Sequence, residues 1–229
     1  QWGVPTTYYQ WGFYYRKDIF AKYGLGEPRS MADLMNIFET LKKNGVAPIA
    51  IGTKFLWTAA GWFDFLNLRI NGYDFHMALM DGEVSYEDQR LDRVFDVWGE
   101  IAKSGYYIDN HASYSWQEGM APMINGDAAM YLLGNFIIPD LMRAGLEGKI
   151  GYFQFPVIDG SVRTYEEAPT DSMHIPARAK NKKDARRFLA FLGRADIQKI
   201  IADASGMLST NNQSPPPTDE FLKIGFKVL

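Results

Sequence analysis

Ala128-Ala129-Met130-Tyr131-Leu132-Leu133-Gly134-Asn135-Phe136 decides the fold. The six apolar residues read as a strand buried on both faces, as in a parallel or mixed α/β sheet, and the run hands over at a glycine to a polar residue and an aromatic. Ligands of such sheets gather beyond the strand ends, which makes Asn135 and Phe136 candidate ligand contacts. The alternative is an ordinary Gly134-Asn135 turn with Phe136 in the core.

Outward from this strand the chain alternates. Trp11 to Tyr15 predicts a strand, followed by a short helix from Lys17 to Tyr23. Ser30 caps a second helix with Asp33 at N3, and Leu34, Ile37, Phe38 and Leu41 recur at helical spacing. Pro48 to Gly52 reads as a strand, and Thr58 to Asn71 as an apolar helix ending at Gly72. A helix starting at Asp88 carries Leu91, Val94, Phe95, Trp98 and Ile101 on one stripe, with Arg90, Asp92, Arg93 and Glu100 on its solvated face. Further elements are a helix over 115–125, the strand 128–133, a helix over 137–144 and a strand over 150–155. A polar stretch, 159–167, precedes a strand beginning at Thr170. Asn181 caps a helix whose expected buried stripe is Ala185, Phe188, Leu189 and Leu192. Another helix covers 196–204, a Pro-rich linker covers 206–218, and a last helix begins at Asp219. The alternation predicts an α/β architecture.

The 229 residues are 47% hydrophobic, 22% charged and 15% aromatic, with a formal net charge of -3. Dispersed Lys and Arg give no electrostatic footprint for nucleic acid or an anionic membrane. No apolar run reaches the roughly 20 residues of a membrane-spanning helix. The chain opens at Gln1 rather than Met, which points to a front end lying outside this sequence. Without cysteine, disulfides and thiolate chemistry are excluded. His76, His111 and His174 lack ligand spacing, so no metal site and no cofactor is expected. His174 alternates with Asp171 on the strand from Thr170 and could face a cleft or be a structural histidine. The 6 Trp, 13 Tyr and 15 Phe suit either a large core or a site that stacks on sugar rings.

These residues carry a resemblance. Gly3-Val4-Pro5 and Tyr14-Tyr15-Arg16-Lys17-Asp18-Ile19-Phe20, followed by the helix from Ser30 to Leu41, resemble bacterial extracellular solute-binding proteins of sugar ABC transporters. In that family "Y-N-K-D-L-F" precedes a "T-W-D-E-L" helix; here Arg16 replaces the Asn, and Met31-Ala32-Asp33-Leu34 stands in the second position. Trp62-Phe63-Asp64-Phe65-Leu66, Phe153-Gln154-Phe155-Pro156, Ala168-Pro169-Thr170-Asp171 and Ala179-Lys180-Asn181-Lys182 fit in order and spacing.

The resemblance implies a two-lobed periplasmic binding protein type II fold, incomplete at both ends. Residues 1–158 would be mostly the C-terminal lobe, 159–218 would return to the N-terminal lobe, and 219–229 would begin a helix back to the C-terminal lobe. It further implies a monomeric receptor, periplasmic or on the extracellular face, that captures a mono- or oligosaccharide in an interlobe cleft and delivers it to permease subunits. By position in the family, Tyr8 and Tyr9 face the cleft at the first crossing, and Lys54 and Trp57 lie in the loop after a strand. Asn135 and Phe136 match a Gly-x-Trp element with Phe in place of Trp, and Asp171 accepts from sugar hydroxyls. Trp116 and Glu118 are further candidates, Trp57 and Phe136 are expected in a common cleft, and Trp62 and Trp98 are assigned to the core. No catalytic residue is expected. The alternative, a glycoside-active enzyme, requires paired acids flanking one bond, and no such pair is identifiable in the sequence.

Overall fold

The computed structural model describes residues 3–229. The chain divides into two compact units. One, here called the small unit, comprises the segment up to Trp11 together with Gly134–Arg143 and Ala168–Leu229; the other, the large unit, comprises Gly12–Leu133 and Ala144–Glu167. These boundaries differ from the expected breaks at 158 and 218. The polar stretch 159–167 stays with the large unit, and 219–229 stays with the residues before it.

Strand β1 (Gly3–Tyr8) leads into β2 (Trp11–Arg16) and α1 (Lys17–Lys22). Helix α2 (Met31–Lys43) begins with the expected capping box: the Ser30 side chain accepts from the Asp33 N–H, and the Asp33 carboxylate accepts from the Ser30 N–H at 3.0 Å. Its stripe of Leu34, Ile37, Phe38 and Leu41 is buried, as the helical period requires. β3 (Ala47–Ile49) precedes α3 (Trp57–Ile70), and α4 (Gly72–Met80) follows almost at once. The sequence shows Gly72 as a stop. Its φ of 82° does break α3, yet a second helix restarts from that residue.

Asp88 caps a single 3-10 turn, and the helix proper, α5 (Asp92–Lys103), starts later. α6 (Ala121–Asn125) is shorter than predicted because residues 115–120 form turns and a 3-10 helix. β4 (Ala128–Gly134) is buried at every position. After α7 (Ile138–Arg143) and β5 (Ile150–Phe153) come β6 (Thr170–His174), α8 (Lys182–Leu192), α9 (Ala195–Ser205), β7 (Leu208–Ser209) and α10 (Glu220–Val228).

The four-stranded sheet has the order β3-β4-β2-β5, with β3 and β4 parallel and β2 and β5 antiparallel. Its apolar faces require cover. Phe13 of β2 stacks on Phe153 at 5.1 Å and meets Trp62 of α3 edge-on at 5.5 Å, and Phe65 stacks on Phe155 at 5.1 Å. Trp62 is therefore a core residue, as expected, with no exposed surface. Trp98 is not wholly so: it is half-buried, and Phe95 beside it is 48% exposed.

The three-stranded sheet, β6-β1-β7, is antiparallel. Three strands cover little of a neighbouring helix, and α8 shows the consequence. Of its expected stripe only Leu192 is buried, Ala185 and Leu189 are half-buried, and Phe188 is 55% exposed, stacked on Phe191 at 6.5 Å.

Candidate functional site

In the large unit, Lys54 and Trp57, at the entry to α3, come together with Trp116 and Glu118 of the turn and 3-10 segment 115–120. Gly52 accounts for how closely these segments approach. Its N–H donates to the Tyr131 hydroxyl at 3.0 Å, its carbonyl accepts from the Thr58 hydroxyl at 2.6 Å, and the Tyr131 hydroxyl in turn donates to the Trp116 carbonyl at 3.3 Å. A buried tyrosine of β4 thus ties both segments to the sheet, and its burial raises the phenol pKa well above the ordinary range. A Cβ at Gly52 would overlap the Ser115 carbonyl, and one at Gly119 would come within 2.6 Å of the Gly52 nitrogen. Only glycine lets the two backbones touch.

On this base the Lys54 N–H donates to the Tyr114 carbonyl at 3.0 Å, and Glu118 accepts from the Ser115 N–H at 2.7 Å. The Glu118 carboxyl is lowered by those Ser115 hydrogen bonds, with a smaller contribution from Lys54. Trp57 is 37% exposed, and its ring meets Trp116 edge-on at 6.5 Å. Phe55 and Leu56, 62% and 72% exposed, extend the apolar surface. Two indoles flanked by an ammonium and a carboxylate offer a sugar an apolar face and a polar rim.

In the small unit, Tyr9, Phe136 and Asp171 form a second group. Tyr9 and Phe136 meet edge-on at 5.2 Å. Burial and the Asp171 charge hold the Tyr9 phenol up to about 12, so it stays a hydrogen-bond donor. Asp171 is exposed on β6, opposite Thr7 in register, and its Oδ2 accepts from the Thr7 hydroxyl at 3.0 Å. Tyr8 is not part of this group. It lines a separate cavity of about 610 Å³ with Pro5, Thr170 and Lys199. His174 pairs with Ser172 at 2.8 Å within its own strand, which favours the structural reading.

Asn135 departs from the expectation of a residue at an open strand end. It has no exposed surface, and neither its Oδ1 nor its Nδ2 has a hydrogen-bond partner. Its backbone N–H donates to the Gln10 carbonyl, which draws the residue inward. A buried, unsatisfied amide is uncommon and costs stability.

Buried carboxyls occur elsewhere in the large unit. Arg69 of α3 pairs with Glu166 at 2.6 Å, and His76 of α4 lies 3.8 Å from Glu167. Burial raises Asp64 to about 6; burial with the charges of Asp64 and Glu166 raises Glu167 to about 7. Both acids hold protons in the fold that the unfolded chain releases. Their stabilisation is therefore complete below the ordinary carboxyl pKa values and is lost as pH rises through 6 and 7. His76, lowered by burial, acts in the opposite sense, its contribution rising as pH climbs toward its ordinary value and complete above it. Glu167→Gln removes one ionisation and is expected to melt above wild type at pH 8, by on the order of 1–2 kcal/mol of stability, and to converge with it at about pH 4, below the ordinary carboxyl pKa. Parallel melting curves across that range would contradict this.

The chain belongs to the bacterial extracellular solute-binding protein family, whose sequence profile matches residues 2–199. An uncharacterized ABC transporter extracellular-binding protein of Pyrococcus horikoshii is 29% identical over 220 residues, covering 94% of this chain and 48% of the relative. The structure of the bacterial solute receptor AcbH, described as having an exclusive preference for β-D-galactopyranose, superposes with a TM-score of 0.90 at 30% identity. That match covers 99% of this chain and 58% of AcbH. A chitin oligosaccharide binding protein shares the fold, with a TM-score of 0.85 at 24% identity over 99% of this chain and 58% of its own. The chain spans about half the length of the curated relatives it matches. The family is one of extracellular or periplasmic binding proteins, and no helix among the described residues is long and apolar enough to cross a membrane.

Proposed function

We propose that the whole protein is a monomeric carbohydrate receptor that captures a sugar between its lobes and passes it to the permease of an ABC transporter. The observation that carries this reading is the Trp57–Trp116 pair with Lys54 and Glu118, seated on segments that Tyr131, Gly52 and Gly119 hold against the sheet. Tyr9, Phe136 and Asp171 repeat the same chemistry in the small unit, an aromatic face beside a hydroxyl-accepting carboxylate. The orphaned amide of Asn135 is assigned to the ligand or to a water beside it. Membership of a solute-binding family supports the reading. The 30% identity to AcbH makes a galactose-type hexose the first ligand to test.

No proton needs to move in such a site. Of the carboxyls raised by burial, Glu166 is paired with Arg69 and Glu167 lies against His76, and turnover of an oligosaccharide panel by the purified protein would contradict a pure receptor. In the full-length protein, Asp171→Ala is expected to lose roughly 1.5–3 kcal/mol of sugar affinity, the value of a hydrogen bond to a charged group. Its melting temperature should fall only slightly, because the carboxylate is exposed and only the bond from the Thr7 hydroxyl is lost. Calorimetry showing unchanged affinity would remove Asp171 from the site.

A further inference from the structure

A cavity of about 440 Å³ in the large unit lies beside α3 and α5. Trp98 and Tyr107 contribute aromatic wall, the indole N–H donating to the Tyr107 hydroxyl at 3.2 Å. Thr53, Asp109, Asn110 and His111 bring polar groups. The Thr53 hydroxyl lies 2.9 Å from His111 Nδ1, which leaves Nε2 for another partner. Lys54, Trp57 and Trp116 are not among the lining residues, so the cavity adjoins the proposed sugar platform, with Leu56 common to both, without including its indoles.

Two independent features set it apart. Leu56 and Asn110, with φ of 64° and 56°, are the two non-glycine residues with left-handed backbone among the described residues, and both line this cavity. Asparagine tolerates that conformation, but leucine adopts it at a cost, and such strain collects at ligand sites. The second feature is a row of rings ending at Trp98. Tyr86 and Phe63 are 6.0 Å apart, Phe63 and Phe95 5.6 Å, and Phe95 and Trp98 6.5 Å, with interplanar angles of 32°, 31° and 18°. Tyr86 is 59% exposed and Phe95 48%. Phe63 is buried, so the row faces solvent through Tyr86, Phe95 and the half-buried Trp98, and exposed rings of this kind are a poor use of aromatic surface unless a flat ligand covers them.

We infer that the cavity and this ring row form a second carbohydrate-binding surface, one that takes a glycan chain. A terminal pyranose enters the cavity, where its hydroxyls meet Asp109, Asn110 and His111. Adjoining units lie with their C–H faces on Trp98 and Phe95. The combination selects a glycan over a purely apolar partner, because the row leads into a pocket rimmed with hydroxyl-binding groups.

The test is calorimetric titration of the full-length protein with soluble hexasaccharides of the xylan, chitin and maltose types. Ala102→Trp fills the cavity from an exposed position on α5, Phe95→Ser strips the row, and Trp57→Ala disables the platform. The inference expects two equivalents of glycan on the wild type. Ala102→Trp and Phe95→Ser each weaken only the second, by roughly tenfold or more, and Trp57→Ala weakens only the first. A single equivalent, abolished by Trp57→Ala, would overturn the inference and leave the receptor reading standing. Binding sensitive to Ala102→Trp but not to Trp57→Ala would do the reverse. A second equivalent that survives both Ala102→Trp and Phe95→Ser would also overturn it, and no glycan binding at all would overturn both readings.

Discussion

Arg69→Ala is expected to destabilise the large unit by roughly 3–5 kcal/mol, the cost of breaking a buried ion pair by removing one partner. Arg69 is 2% exposed, and the Glu166 side chain that it pairs with is 8% exposed. The guanidinium donates twice to the Phe155 carbonyl, at 3.1 and 3.0 Å, once to the Tyr165 carbonyl and once to Glu166. Its plane also lies over the Phe65 ring at 5.5 Å. One side chain therefore fixes the returning segment from Phe155 to Glu166 onto α3. Alanine would strand two carbonyls and a carboxylate. Arg69→Lys should recover only a fraction, because an ammonium cannot reproduce the planar fork. Chemical denaturation showing a loss below about 1 kcal/mol for Arg69→Ala would contradict this role.

Gly119→Ala is the second large effect, and it separates stability from function. A Cβ there meets the backbone of Ile51 and Gly52 at 2.6 to 2.7 Å, and rigid backbone on both sides cannot yield as a flexible side chain would. Overpacking of this kind costs typically 1–3 kcal/mol. The relief available is a shift of the 114–118 loop, which carries Trp116 and Glu118 away from Lys54 and Trp57. Sugar affinity should therefore fall more than melting temperature. A variant that melts early but binds sugar normally would detach the platform from the site.

How much of this was legible in the sequence follows from the range of the interactions. The α2 capping box and stripe lie within one helix and are readable from Ser30, Asp33 and the spacing of Leu34 to Leu41. The continuous apolar run of β4 likewise announces its own burial. Lys54, Trp57 and Trp116 were identifiable as candidates from the family resemblance, but nothing local shows why they meet. That depends on Gly52, Gly119 and Tyr131, which touch across long separations, and two glycines in loops look like any others. The burial of Asn135 follows from a backbone bond to Gln10, again a distant residue. Periodicity marks which side of a helix is apolar, not whether anything covers it, and so Phe95 and Phe188 read as core while standing exposed. Arg69 gave no signal at all. A lone arginine on an apolar helix is meaningful only once the carbonyls of Phe155 and Tyr165 are placed against it.

The central claim, that sugar stacks on the Trp57–Trp116 platform, is tested most directly by titrating galactose and the oligosaccharide panel into full-length wild type and Trp57→Ala, with heat and melting temperature measured on the same samples. The account predicts that the wild type binds a sugar and that Trp57→Ala weakens it by roughly tenfold or more, the worth of one aromatic stacking contact. The melting temperature should stay the same, because the ring is partly exposed. Equal affinity in the two proteins, or a wild type that binds no member of the panel, would contradict it.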